Sequence, residues 1–122
     1  MKDDLSTSLG LALVMAIAVT FFAFLANYAT NLFAANAYSY YGIVFFVSFF
    51  VSLTIFVTSD HDVLAKRIIV FMIIGPFVEA LLLGILGSAT TVAIATLILG
   101  LFVYGLSGGL IFGSEYAIKE KL

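Results

Sequence analysis

The chain has 122 residues, of which 64% are hydrophobic and 10% are charged, with a formal net charge of −2. Soluble domains carry about 25% charged residues, and a domain this small cannot bury so much apolar surface, so the composition excludes a water-soluble globular protein. The five basic residues form no stripe that could follow phosphates, which argues against a nucleic-acid partner, and the lack of cysteine excludes disulfides and thiolate metal sites. We expect one domain over residues 1–122 in a lipid bilayer, without a cofactor.

Four apolar stretches of the chain are long enough to cross a membrane, which takes about 20 mostly apolar residues. The predicted spans are residues 8–26, 41–58, 68–86 and 90–112. A helix that is apolar on all sides belongs in a membrane or in a large core, and 122 residues cannot supply such a core. The predicted fold is therefore all-α, a four-helix transmembrane bundle.

The three connections differ in composition. Asn27 to Tyr40 is uncharged and rich in asparagine and tyrosine, which predicts a short segment along the membrane interface. Asp60-His61-Asp62 is predicted to be a solvated turn and not a metal site, with Ser59 or one of the acids capping helix three. Gly87-Ser88-Ala89 predicts a tight turn, so helices three and four should form an antiparallel hairpin.

Every charged residue except Glu79 falls in segments that four spans would place on one side of the membrane. Lysine and arginine collect in cytoplasmic loops, which predicts that both termini are cytoplasmic. Glu115 and Lys119 are predicted to pair one turn apart where helix four extends into water. The basic residues behind this topology are Lys2, Lys66, Arg67, Lys119 and Lys121.

Glu79 is the exception, since it lies within the third apolar span. An ionised side chain at the centre of a membrane helix costs about 2.5–3.5 kcal/mol, so we predict that Glu79 is neutral and faces the bundle interior. Pro76 removes the helical hydrogen bond to the carbonyl of Met72 and should bend the helix, with Gly75 easing the bend. A freed carbonyl beside a protonatable acid predicts a binding site for a proton or a small cation.

Polar partners for Glu79 can be ranked by membrane depth, at about 1.5 Å per residue. We predict a hydrogen bond from Glu79 to Ser48 on helix two or to Tyr104 on helix four, with Thr20 and Ser52 also at similar depth. A structural alternative stays open: a neutral glutamate can join helices by hydrogen bonding, at about 0.6 kcal/mol on average.

Small residues recur every four positions on three helices: Ser8, Ala12, Ala16 and Thr20 on helix one, Ala80, Gly84 and Ser88 on helix three, and Gly105, Gly109 and Gly113 on helix four. Such spacing lets helix backbones approach closely in a membrane. It predicts packing within the bundle or, alternatively, a subunit interface.

Helix two has the opposite character, with bulky rings around it and two serines one turn apart. Ser48 and Ser52 are predicted to mark its inward face. The phenylalanines are predicted to face lipid or a partner protein, and they are Phe45, Phe46, Phe49, Phe50 and Phe56.

These features favour a small proton- or cation-linked transporter or channel-like protein that uses Glu79, and so short a chain implies a homo-oligomer. The alternatives are a non-catalytic accessory subunit of a larger membrane complex and a lytic pore-former such as a phage holin. Enzyme activity is not expected, because no histidine lies at membrane depth to activate a hydroxyl. In size, span count and lone membrane glutamate the chain resembles small four-helix exporters, but their glutamate is on the first helix, so no site residue is carried over.

Overall fold

The structure, a computed structural model, describes residues 5–30, 37–59, 63–87 and 90–121, with side chains for all of these except 37–39, 120 and 121. Within these ranges the chain forms four α-helices and no strand, which confirms the all-α prediction. Each helix is long and apolar enough to cross a membrane. The helices are α1 (Leu5–Thr30), α2 (Ala37–Thr58), α3 (Leu64–Ile85) and α4 (Thr90–Lys121).

The four helices pack in a ring, α1 against α2, α2 against α3, α3 against α4 and α4 against α1. Consecutive helices run in opposite directions. We call the end where α1 passes to α2 and α3 passes to α4 the hairpin end. The opposite end, which holds the beginning of α1, the connection between α2 and α3, and the end of α4, is the terminal end.

Much of the outer surface of the bundle consists of large apolar side chains. On α1 the buried face includes Ser8, Ala12 and Ala16, whereas Ile17 is 57% exposed and Phe21 is 56% exposed. Exposure of such an outer surface to water would be unfavourable, whereas lipid is as apolar as these side chains. A helix also satisfies its own backbone hydrogen bonds, which the hydrocarbon of a bilayer demands.

The helices are longer than the predicted spans at most ends. Against the predicted spans, α1 gains residues at both ends, α2 begins at Ala37, α3 begins at Leu64, and α4 continues to Lys121. Hydropathy marks the residues that suit hydrocarbon, whereas a helix continues into water wherever its hydrogen bonds persist. Residues 27–30 and 37–40 of the predicted interfacial segment are therefore helical, and residues 31–36 lie outside the described part of the chain.

The α3 helix begins and ends without side-chain caps. Val63 is its N-cap and receives no side-chain hydrogen bond, so the predicted cap by Ser59 is wrong, and residues 60–62 lie outside the described part. At the other end Gly87 has φ +91°, a left-handed conformation that glycine adopts readily. Its N–H bonds the carbonyl of Gly84, as suits the predicted turn, whose other residues, Ser88 and Ala89, are also outside the description.

Glycines of α4 let α3 approach closely, but only one of them belongs to the predicted series. A Cβ built on Gly100 would lie 2.6 Å from Cβ of Pro76, and one on Gly108 would lie 3.2 Å from the ring of Phe71. Gly105 belongs to both sets, since its Cβ would lie 3.0 Å from Sδ of Met72. In contrast, no atom lies within 4 Å of a Cβ built on Gly84, Gly109 or Gly113, so these three do not pack within the described chain.

Candidate functional site between α3 and α4

Glu79 lies inside the bundle and is only 1% exposed, in agreement with the prediction that it faces the bundle interior. The hydroxyl of Tyr104 on α4 donates a hydrogen bond to its Oε1 at 2.8 Å. Tyr104 is itself 1% exposed, so the bond is shielded from solvent. Of the two partners predicted for Glu79, Tyr104 is the one that the structure brings to it.

Gly75 and Pro76 lie in α3, one turn before Glu79, at a position where α4 packs closely against it. A Cβ at Gly75 would overlap the ring of Tyr104, and Pro76 packs on Gly100. The α3 helix is continuous through Pro76, where the missing N–H leaves the carbonyl of Met72 without its usual helical partner. The two residues predicted to bend α3 therefore also position Tyr104 and α4 beside the acid.

The predicted serines of α2 are buried but direct their hydroxyls into their own helix. Ser48 and Ser52 are both 0% exposed, which confirms the predicted inward face. Ser48 Oγ donates to the carbonyl of Val44 at 2.6 Å, and Ser52 Oγ donates to that of Phe49 at 3.1 Å. Serines inside helices commonly form such bonds, so neither is found bonded to Glu79. Thr20 Oγ1 on α1 is buried without a hydrogen-bond partner among the described residues.

Tyr40 is a member of the site that sequence reasoning missed. It is 5% exposed, and it interacts electrostatically with both Glu79 and Tyr104. Next to it, the hydroxyl of Tyr41 accepts a hydrogen bond of 2.9 Å from the Asn27 side chain on α1. The prediction placed Tyr40 at the interface because α2 was expected to begin one turn later. The only sequence signal was that tyrosine hydroxyls are polar groups able to meet a buried acid.

A second polar cluster, also missed, lies at the terminal end. Arg67 of α3 is 1% exposed, and its Nη1 contacts Glu115 Oε1 of α4 at 2.6 Å. Its Nε and Nη2 donate to Oγ and O of Ser59 at 3.0 and 2.6 Å. The guanidinium carbon lies 5.4 and 5.7 Å from the ring centroids of Phe56 and Phe112. Glu115 is 6% exposed, so its side chain lies inside the bundle and not in water as predicted, although α4 does continue past it to Lys121.

Aromatic rings fill the bundle between the two polar clusters. The Phe71 ring lies 4.9 Å from that of Tyr104 and 5.6 Å from that of Phe112, which in turn lies 5.0 Å from Phe56. Phe56 is thus buried, contrary to the prediction that it faces outward. Phe46 and Phe50 do face outward, at 63% and 57% exposure. The packed rings separate the Glu79 carboxyl from the terminal end.

The arrangement offers one buried carboxyl group, one hydroxyl donor bonded to it, and a second phenol nearby. Among the described residues no group of three or more His, Cys, Asp or Glu side chains could hold a metal ion. Such a site can take up and release a proton or support helix packing.

Four apolar helices of membrane length around a buried acid fit a small multi-pass integral membrane protein. No family model, no curated protein and no solved structure matched the chain. Its class therefore rests on the fold and on the buried acid.

Proposed function

We propose that this chain is a small, non-enzymatic, proton- or cation-linked transporter or channel-like protein in which Glu79 binds the ion. The observation that carries the proposal is the position of Glu79, 1% exposed inside the ring of helices and bonded to Tyr104. Ionisable residues within membrane helices are costly, and they commonly mark ion pathways and proton relays. Among the described residues the hydrogen-bond partner of Glu79 is a phenol and not a cation, which leaves its carboxyl able to change charge.

The two ends of the bundle are closed by different contacts, which supports alternating access to Glu79. At the terminal end, Arg67 and Glu115 join α3 to α4 beneath the packed rings. At the hairpin end, Asn27 joins α1 to α2 through its hydrogen bond to Tyr41, and the neighbouring Tyr40 is 5% exposed. Opening one set of contacts while the other stays closed would expose the acid to one side at a time.

The proposal includes a homo-oligomer with both termini in the cytoplasm. Gly109 and Gly113 lie on α4 with open space where a Cβ would be, so a helix of a second copy could approach there. Lys66 is exposed at the terminal end, and the chain also carries Lys119 and Lys121 near the end of α4, as a cytoplasmic side would require.

A second candidate function is that of an accessory subunit in a larger membrane complex. The observation that favours it is the outward pair Phe46 and Phe50 on α2, whose rings stack with centroids 6.4 Å apart and planes 10° apart. An exposed pair of large rings of this kind suits packing against another membrane helix. Glu79 would then join α3 to α4 through Tyr104 without handling an ion.

Reconstitution of the purified protein in liposomes separates the two candidates. Transport predicts proton or cation flux that Glu79→Gln abolishes and that Ser48→Ala preserves. Ser48 is a matched control, since it is buried in the same bundle but bonds only within its own helix among the contacts described. Purification only with larger partners, together with a Glu79→Gln variant that merely loosens assembly, would favour the accessory role.

A further inference from the structure

The groups that face Glu79 come from the two helices packed on α3. From α4 the titratable neighbour is Tyr104, and from α2 it is Tyr40. The charged Arg67 and Glu115 lie at the terminal end, beyond the packed rings of Phe71 and its neighbours. Among the interactions that the structure describes, the partners of the acid are thus phenols, and none of them carries a fixed opposite charge.

This environment is poor in the oxygen ligands that a metal cation needs. Hard divalent cations take about six or more oxygen ligands, and a dehydrated alkali ion needs oxygens in place of its hydration shell. Tyr104 directs a hydrogen toward Oε1 of Glu79, and the inward serine Ser48 directs its hydroxyl to its own helix. The two carboxyl oxygens, the carbonyl of Met72 freed by Pro76 and the Thr20 hydroxyl, which is buried without a hydrogen-bond partner among the described residues, would give at most four oxygens, short of such a shell.

We infer that the ion taken up at Glu79 is a proton and not a metal cation. The inference rests on the proposed function and names its ion. In the step, hydronium transfers a proton to the carboxylate, an O–H bond forms, and water leaves. Because Tyr104 already donates to Oε1, the proton adds to Oε2, and the neutral acid keeps the bond from Tyr104. One proton converts the buried carboxylate to a neutral group, so no further ligand is required to balance its charge.

Infrared difference spectroscopy of the full chain in lipid bilayers tests this directly. A protonated carboxylic acid has a C=O stretch that a carboxylate lacks, and subtraction of the Glu79→Gln spectrum isolates the band of Glu79. We expect this band to disappear reversibly as pH rises, with the same midpoint in choline, sodium, potassium and calcium chloride. Tyr104→Phe, which keeps the ring and removes the donor, should move the band to higher frequency.

The outcomes separate the inference from the proposed function. A midpoint that falls as sodium, potassium or calcium replaces choline would show that a metal cation competes with the proton. That result would overturn the inference that the ion is a proton but would leave ion binding at Glu79 intact. A band present at every pH at which the protein stays folded would show a permanently neutral acid, which overturns both. Circular dichroism of each variant at each pH provides the check on folding.

Discussion

The ring of Tyr104 lies over Gly75 and fills the space that a side chain there would occupy, while its hydroxyl reaches Glu79 one turn further along α3. A glycine in α3 thus determines where the phenol of α4 can sit. The position of the proposed ion-binding group depends on this close approach of two helices.

Gly75→Ala should therefore displace Tyr104 from the acid. Overpacking of a close contact typically costs about 1–3 kcal/mol, so we expect a loss of stability of that size, measured by unfolding of the protein in mixed micelles. Gly84→Ala is the matched control, because Gly84 lies in the same helix and a Cβ built on it has no atom within 4 Å. Equal effects of the two substitutions would contradict the packing described.

Tyr104→Phe should weaken the bundle and, if Glu79 carries an ion, lower the flux. A hydrogen bond between membrane helices is worth about 0.6 kcal/mol on average and about 1.7 kcal/mol at most, which sets the expected coupling to Glu79→Leu, a substitution that removes the acceptor. A double-mutant cycle measures it from the unfolding free energies of the original chain, the two single variants and the double variant. Strict additivity of the two substitutions would show that the bond contributes nothing.

Arg67→Ala should be the most destabilising single change at the terminal end. Removing one partner of a buried ion pair costs about 3–5 kcal/mol, because the other charge stays buried. The double variant Arg67→Met with Glu115→Leu should lie closer to the original stability, since it leaves no unpaired charge. Lys66→Ala, at an exposed neighbouring position, is expected to change stability by no more than about 0.5 kcal/mol. A small effect of Arg67→Ala would count against the buried pair.

The proposed topology can be tested by labelling, because the chain contains no cysteine. Leu86→Cys, at a position 68% exposed at the hairpin end, should react with a membrane-impermeant maleimide on intact cells. Lys66→Cys, at the terminal end, should react only after the cells are permeabilised. The reverse pattern would invert the orientation and refute the cytoplasmic placement of the termini.

The proposed oligomer predicts different effects of two adjacent glycines. Gly108→Leu should unfold the chain, because a Cβ at Gly108 already approaches the ring of Phe71 within 3.2 Å. A Cβ built on Gly109 has no atom within 4 Å. Gly109→Leu should therefore leave the monomer folded and dissociate the oligomer. Sedimentation in detergent measures both effects, and a Gly109→Leu protein that keeps the original mass would remove α4 from the interface.

The sequence by itself determined the helices and the exceptional residue. Runs of apolar residues predict four membrane-length helices whatever their packing, since a helix satisfies its own backbone. An acid at position 79 is unusual in such a run by its chemistry alone. The burial of Glu79 could be predicted from the free-energy cost of exposing an acid to lipid. Membrane depth, estimated from position along each helix, predicted Tyr104 as one of two hydrogen-bond partners.

Only the tertiary structure decided how each helix is rotated about its axis. All four helices are apolar on nearly every side, so no amphipathic stripe marks the inward face. Shape selects that face instead, as where Gly100 receives Pro76 and Gly109 is left outside. The same rotation brings Arg67 to Glu115 and Tyr40 near Glu79, pairs far apart in the chain that a local pattern of hydropathy does not encode.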